Sequence, residues 1–357
     1  MLRRAGSDFV EMANQIPRPV KVVAIVGGTH GNETNGVALA RHLIRHPELC
    51  KRASFETKVL LNNLAAIEKN VRYVEEDINR CFFAKDLADK NLTTLEAKRA
   101  KEVNQILGPK GSASPKVDLI LDLHNTTANT GVALMMAPKD QLSHAIGHHL
   151  MGHDSSVRIV NWTAGRADYP MCPSVAPHGM TFEVGGVPCG CLDGGLYQQS
   201  LRLLMRALDY VQAHNEAIAA GDIASWHTAS VPVYESVRTV DYPRYDDGTL
   251  SAMVHPHIQG KDFIPLHKGD PIFLTMGADA PLGFETTEAE EASGEACYPF
   301  LVNEAAYYEK GIAFVRGQPQ HQALPPLFRL RVACLSILFS LPVPDASRAT
   351  APSPDVR

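Results

Sequence analysis

The chain alternates short, almost purely apolar runs with amphipathic stretches. KVVAIVGG, residues 21–28, is a continuous apolar run rich in β-branched side chains and closed by two glycines. Such a run predicts a strand buried on both faces, as in a parallel sheet. NGVALARHLIRH follows with apolar residues at helical spacing, and KVLLNN predicts a second strand. LEAKRAKEVNQILG is an amphipathic helix ending at Gly108, with Pro109 behind it. VDLILDLH, GVALMMA and MTFEVGG predict three further strands, and LYQQSLRLLMRALDYVQAHNEA a long helix. Strands alternating with helices from about residue 20 to about residue 218 argue an α/β domain built on a mixed, largely parallel sheet flanked by helices.

Beyond residue 220 the texture changes. VPVYESVRTVDYP, TLSAMVHP, FIPL, DPIFLT, YPFLVN and IAFVR are short strand candidates separated by turn signals such as YDDG and HKGDP. They predict a smaller β-rich domain. The expected organisation is a flexible leader at 1–16, a catalytic α/β domain at 17–219, a β-rich domain at 220–320 and a disordered tail at 321–357, rich in Pro, Ala and Ser. No internal repeat is apparent.

Composition narrows the class without naming it. At 357 residues, with 45% hydrophobic and 20% charged positions, the chain can bury a sizeable core. A net charge of −5 gives no reason to expect nucleic acid or a membrane surface as partner. The run VACLSILFSLPVP is too short to span a bilayer and is broken by Pro342. The N-terminus has two arginines but no apolar core, so it is no secretory signal, and Asp8 and Glu11 argue against a mitochondrial presequence. Seven cysteines, at 50, 81, 172, 189, 191, 297 and 334, contain no CxxC pair, so a reduced, cytoplasmic chain is the default.

Four polar constellations interrupt the apolar pattern. In GGTHGNE, His30 and Glu33 follow the end of the first predicted strand, where ligands bind in open α/β sheets. Their three-residue gap lets an imidazole and a carboxylate converge, half of a His2Glu zinc site. The plain alternative is a glycine-rich turn whose Glu caps a helix. A phosphate loop is disfavoured by the missing G-K-[ST] ending. In LDLHNTT, His124 ends another buried strand and Asp122 shares its face, suited to orient it. The alternative is a core histidine. In MTFEVG, Glu183 sits inside an apolar strand, where burial raises a carboxylate's pKa toward that of a general base. The alternative is a structural ion pair with an arginine. In NVRYVEEDINR, Arg72, Asn79 and Arg80 could gather around an anion; taken alone, they read as a solvated charged face. His148, His149 and His153 belong to an irregular polar stretch. His255-Pro256-His257 resembles an HxH metal pair, weakened by its proline and turn-like setting, and Cys189-Gly190-Cys191 could bind metal but has no neighbouring ligand cluster.

Together GGTHGNE, RYVEEDINR, LDLHNTTAN, EVG at 183–185, VDYPR and VNEAAYYEKG at 302–311 resemble the aspartoacylase and aminoacylase-3 family, a branch of the zinc carboxypeptidase-like hydrolases. The resemblance runs from about residue 20 to about residue 316. It implies one zinc ion per subunit held by His30, Glu33 and His124, with Glu183 as general base and proton shuttle. It implies that Arg72 polarises the scissile carbonyl, that Asn79 and Arg80 hold the substrate's α-carboxylate, and that Tyr169 and Tyr307 complete the pocket, Tyr307 from a capping C-terminal domain. It also implies a small-molecule N-acyl amino acid as substrate and a homodimer or higher homo-oligomer. One position departs. Aspartate-selective members carry an arginine ten residues before the general base, where this chain has Pro173, and the family's GPQPQG becomes GGVPCG at 185–190. Without a cation for a second carboxylate, N-acetylaspartate binding should weaken, unless Arg166 substitutes. The expected enzyme is therefore aminoacylase-3-like, acting on neutral or aromatic N-acyl amino acids or on mercapturates. An aspartoacylase, a zinc carboxypeptidase or desuccinylase, and a non-enzymatic binding protein are the alternatives.

Overall fold

The computed structural model describes residues 18–162, 169–221, 226–277, 281–287, 294 and 296–328. The leader at 1–16, Arg166 and the tail beyond 328 lie outside the described residues.

The apolar runs become strands, and the helical periods become helices. In chain order these are β1 (Val22–Gly27), α1 (Thr34–Arg45), β2 (Glu56–Leu61), α2 (Leu64–Lys69), α3 (Ala84–Ala88), α4 (Leu95–Leu107), β3 (Leu119–Thr126), β4 (Gly131–Met136), α5 (Gln141–Met151), β5 (Val157–Asn161), β6 (His178–Gly185) and α6 (Gly194–Ala220). β7 (Trp226–Val240), β8 (Ala252–Val254), β9 (Pro271–Thr275), β10 (Pro281–Gly283), β11 (Tyr298–Phe300) and β12 (Phe314–Phe328) follow. α5 and β5 have no counterpart in the sequence reading. The segment with His148 and His149 is the last turn of α5, not an irregular stretch. FIPL is not a strand; Leu266 makes an isolated bridge to Cys297.

A nine-stranded sheet runs in the order β11-β12-β7-β5-β4-β6-β3-β1-β2. β1, β2, β3 and β6 are mutually parallel, whereas β4 pairs antiparallel with β6. Side-chain alternation splits each strand between two cores. Val23 and Ile25, Leu121 and Leu123, and Met180 and Phe182 pack under α1, α5 and α6. Ala24, Val26 and Ile120 face the opposite side, where Val103 and Leu107 of α4 cover them. Asp122, His124, Thr181 and Glu183 follow the same parity onto that second face. These candidate site residues therefore share one face of the central strands, with His124 and Glu183 toward the C-terminal ends.

The C-terminal β region is not a separate layer. β7 and β12 pair along their length and join the main sheet through β5. A second, three-stranded sheet, β10-β9-β8, packs around Tyr242, Phe273, Phe284 and Phe314. Ala133 and Met135 of β4 share a core with Phe300, Leu301 and Val315, so the two regions meet on the second face. The tail boundary expected at 321 is also displaced. β12 continues through Phe328, because His321–Leu324 pair with Ala229–Pro232 of β7.

Candidate active site

The loop between β1 and α1 places two of the predicted ligands. Gly31 permits its course: a Cβ there would lie 2.1 Å from the Ala66 carbonyl carbon. Glu33 occupies the N-cap position of α1, yet its side chain makes no capping bond. It turns to the site instead. His30 Nδ1 lies 2.5 Å from Glu33 Oε1, and His124 Nδ1 lies 2.8 Å from Glu33 Oε2. The ligand atoms of His30, Glu33 and His124 all fall within 4.8 Å of one another, and all three residues are buried. The Glu33 side chain therefore does not cap α1, and His124 is gathered with His30 and Glu33 rather than standing alone in the core.

Each imidazole points Nδ1 inward and Nε2 outward. His30 Nε2 is 3.1 Å from Asp77 Oδ1, and His124 Nε2 is 3.0 Å from Asp122 Oδ2. An ionised carboxylate only accepts, so the outer nitrogens donate to Asp77 and Asp122, an arrangement that would leave the inner nitrogens to face a ligand once any Nδ1 proton is given up. Asp122 is itself held: Thr29 Oγ1 donates to it at 2.7 Å, and Asn62 Nδ2 donates to Thr29 at 3.0 Å. Burial disfavours a charged His124 ring, but the Asp122 and Glu33 carboxylates hold its pKa well above the ordinary imidazole value. Burial also opposes ionisation of Glu33, and the two histidines overcome it, keeping that carboxyl well below the usual range.

Glu183 on β6 stands opposite His124 in the parallel register. Its Oε1 lies 3.9 Å from His124 Nδ1, and no arginine among the described residues pairs with it. Burial pushes its carboxyl up to about 8; His124 opposes the rise, and Glu33 and Glu304 add to it. Arg72 donates from NH1 to Glu33 Oε1 at 3.1 Å and lies 3.4 Å from Asp77 through NH2. Its Nε is a buried donor with no partner in the protein, so the charged stretch is not a solvated face. Asn79 is buried; its Oδ1 accepts from Cys172 N at 3.0 Å, and its Nδ2 lies 3.5 Å from His124 Nε2. Arg80 NH1 donates to Asn79 O at 2.8 Å.

Tyr307 arrives from the C-terminal region. Burial raises its hydroxyl pKa, and the nearby charges of Glu183, Arg72, Arg80 and Glu304 all act on it. Tyr169 is engaged differently. Its hydroxyl donates to Trp162 O at 2.7 Å, and it lines a cavity of about 210 Å³ with Met135, Trp162, Met171, Pro173 and Thr181. Met135 and Thr181 lie two positions along from Ala133 and Glu183 in the β4–β6 register, on the same face. The cavity is thus a neighbour of the carboxylate along the sheet. Lys110 also lines it, with its ammonium on the carbonyls of Phe82 and Tyr169.

Several residues of the site escaped the sequence reading. Asp77 holds His30, and Lys310 Nζ reaches Asp77 Oδ2 at 2.8 Å. Glu304 Oε2 accepts from Thr126 Oγ1, from Thr127 N at 2.7 Å and Oγ1 at 3.0 Å, and from Ala128 N at 3.3 Å. Its Oε1 accepts from Ala306 N at 3.0 Å, capping the turn that carries Tyr307 and Lys310. Asp77 lies in RYVEEDINR and Glu304 and Lys310 in NEAAYYEK, strings read for the family resemblance but not for these residues.

The catalytic-domain model of succinylglutamate desuccinylase/aspartoacylase matches residues 19–212, and the barrel-sandwich hybrid-domain model of the same family matches residues 229–317. The chain belongs to this family. Its relatives include aspartoacylase of Mus musculus, 36% identical over 306 residues, covering 84% of this chain and 92% of the relative. The N-acyl-aromatic-L-amino acid amidohydrolase (carboxylate-forming) of Homo sapiens is 37% identical over 313 residues, covering 85% and 92%. The crystal structure of murine aminoacylase 3 superposes with a TM-score of 0.80 at 33% identity, covering 88% of this chain and 100% of that one.

The His30–Glu33–His124 cluster could hold a metal ion, and the chemistry of its residues fits one. Two nitrogens and one carboxylate converge, each histidine is backed by its own carboxylate, and such a His2Glu set would be the donor set of a catalytic rather than a structural zinc site. Among the described residues no other group of three such side chains gathers. No helix of the described residues is long and apolar enough to cross a membrane.

Proposed function

We propose that this protein is a zinc-dependent amidohydrolase that cleaves N-acyl, chiefly N-acetyl, amino acids to a carboxylate and a free amino acid. Its preferred amino acids are neutral or aromatic, S-substituted N-acetylcysteines (mercapturates) among them. The carrying observation is Glu183 standing 3.9 Å from His124, beside the converged triad and on the same sheet face as the cavity that contains Pro173. When bound, zinc supplies Lewis acidity, lowering the pKa of a water and polarising a carbonyl.

The protein's own groups carry the rest. Glu183 removes a proton from the attacking water and returns it to the leaving amine. Arg72, with an unpartnered Nε, donates to the acyl oxygen as its charge grows. Arg80 and Asn79 hold the α-carboxylate, the guanidinium fork matching its two oxygens. Tyr307 closes the pocket from the C-terminal side, and Tyr169 lines the side-chain cavity.

Relatives of nearly equal identity are named for aspartate and for aromatic substrates, so overall similarity does not choose between them. The cavity favours the second. Pro173 stands where an arginine would grip a second carboxylate, methionines and aromatics surround it, and the Lys110 ammonium is already bonded to backbone. A desolvated carboxylate without a partner is costly. The reading also puts the protein in the cytosol, a compartment that keeps the exposed thiols of Cys189 and Cys191 reduced.

A zinc-loaded activity panel tests this with N-acetylaspartate, N-acetyltyrosine, an S-aryl mercapturate, a succinylated amino acid and a dipeptide. The expected result is kcat/KM at least tenfold higher for the tyrosine derivative and the mercapturate than for N-acetylaspartate. Preference for N-acetylaspartate, the succinyl compound or the dipeptide contradicts the specificity assignment. No turnover of any of them, in protein that binds zinc, contradicts the reaction.

A further inference from the structure

The segment after β6 carries two thiols that the proposed chemistry leaves unused. Cys191 N–H donates to Pro188 O at 3.1 Å, and Gly190 has φ +77°. A four-residue turn with a left-handed glycine in third place is a type II β-turn. Cys189 and Cys191 are two residues apart in it. With consecutive Cα atoms about 3.8 Å apart and the chain folded back at Gly190, their Cα atoms come within about 6 Å, inside the roughly 4.4–6.8 Å that disulfides span. Both thiols are exposed, whereas Cys50, Cys81, Cys172 and Cys297 are buried.

The turn is tied to the loops that build the site. Gly190 N–H donates to Asn32 O at 2.7 Å, and Asn32 lies between His30 and Glu33. Thr34 Oγ1 donates to Cys191 O, and Val187 N–H donates to Thr126 O at 3.0 Å, two residues past His124. A Cβ on Gly190 would meet Asn70 Nδ2 at 3.0 Å, two residues before Arg72. The turn is thus hydrogen-bonded to the metal loop and packed close to the loop that carries Arg72.

We propose that Cys189 and Cys191 are a reversible dithiol–disulfide pair that takes a low-molecular-weight disulfide, such as oxidised glutathione, as its oxidant, and that closing the pair lowers activity by locking the turn that is hydrogen-bonded to the metal loop. One cysteine thiolate attacks a sulfur of the small disulfide, whose S–S bond breaks and releases one thiolate. The second cysteine thiolate then attacks the protein-side sulfur of the mixed disulfide, and the second small thiolate leaves. The two thiol protons pass to the released thiolates, so one disulfide and two protein thiols give one protein disulfide and two small thiols. Burial and the Glu304 and Glu33 carboxylates raise the Cys189 thiol. This slows thiolate attack but also makes that sulfur a poor leaving group, so a closed pair persists until a reductant arrives.

The effect on turnover rests on the amidohydrolase reading; the pairing itself does not. The test uses the full-length, zinc-loaded protein carrying Cys334→Ser, since Cys334 lies outside the described residues. It is equilibrated with glutathione mixtures of increasing oxidised fraction, acid-quenched, alkylated and peptide-mapped. The expected result is one intramolecular bond between Cys189 and Cys191, a fall of at least tenfold in kcat/KM, and recovery with dithiothreitol. Cys189→Ser and Cys191→Ser keep the reduced protein's activity and lose the response. Separate glutathione adducts without an intramolecular bond, or a closed pair with undiminished kcat/KM, overturn the proposal. Failure of the amidohydrolase reading is distinguishable, because the reduced protein would then turn over no substrate while the mapping still reports the pair.

Discussion

At the scale of single residues, the site is a set of charges whose pKa values are set by burial and by one another. Without metal, the Asp122 and Glu33 carboxylates keep His124 protonated at neutral pH against its burial, and burial keeps Glu183 protonated, its carboxyl pushed up to about 8. A metal needs the Nδ1 lone pair of His124, so loading must expel a proton. Zinc binding at pH 7 is therefore expected to release at least one proton, and affinity to rise with pH. Calorimetry in buffers of different ionisation enthalpy measures this, and a buffer-independent heat contradicts it. The sequence singled out His30 and Glu33 by their three-residue gap just beyond a strand end, and His124 and Glu183 because a polar group in or at the end of an apolar strand is costly without partners or a job. Asp77, Thr29 and Glu304 were not. Their partners lie 47, 93 and up to 178 positions away, and nothing local marks a carboxylate or hydroxyl whose role is to hold a distant side chain.

At the scale of elements, alternation along β1, β3 and β6 specified both cores and the face that carries the chemistry. The helix α5 escaped because His144, His148 and His149 blur its apolar stripe; His144 is buried with Nε2 2.7 Å from Asn161 Oδ1. β5 is only five residues long and follows a polar turn. Asp140 starts α5 by accepting from Ser143 N at 3.1 Å, and it also accepts from His178 Nδ1 at 2.7 Å at the start of β6. Burial works against both charges, yet the pair lowers the Asp140 carboxyl and raises the His178 imidazole. The sign follows from linkage. The Asp140 contribution is present above the ordinary carboxylate pKa and fades as pH falls through its depressed folded value. The His178 contribution is complete below the ordinary imidazole pKa and fades as pH rises through its raised folded value. The stability gap between the protein and Asp140→Asn should thus be widest between about pH 4 and about pH 6.5, the two unfolded-state values, and narrow above the His178 folded pKa. Urea titrations across pH 4–9 check this, and a gap that widens steadily toward pH 9 contradicts it.

At the scale of the whole molecule, the C-terminal region completes the site from the second face of the sheet. The sequence marked its strands but not their destination: β7 and β12 extend the main sheet, because pairing partners more than 70 positions apart leave no local trace. Glu304 is the principal link. One carboxylate oxygen gathers donors from Thr126, Thr127 and Ala128, and the other caps the turn bearing Tyr307 and Lys310. Glu304→Ala leaves these donors without a charged acceptor, and charged hydrogen bonds contribute about 1.5–3 kcal/mol each. A loss of at least about 2 kcal/mol in unfolding free energy is expected, with a raised KM because Tyr307 loses its anchor. A variant with wild-type stability and KM contradicts the clamp. The central claim is that zinc held by His30, Glu33 and His124 works with Glu183 as the proton carrier. Glu183→Gln tests it most directly, with bound zinc and the turnover of N-acetyltyrosine measured on the same preparation. The account predicts zinc content near that of the parent protein and a fall in kcat of about 10²–10⁴-fold, the usual contribution of a general acid–base group. Undiminished kcat with zinc in place would contradict it.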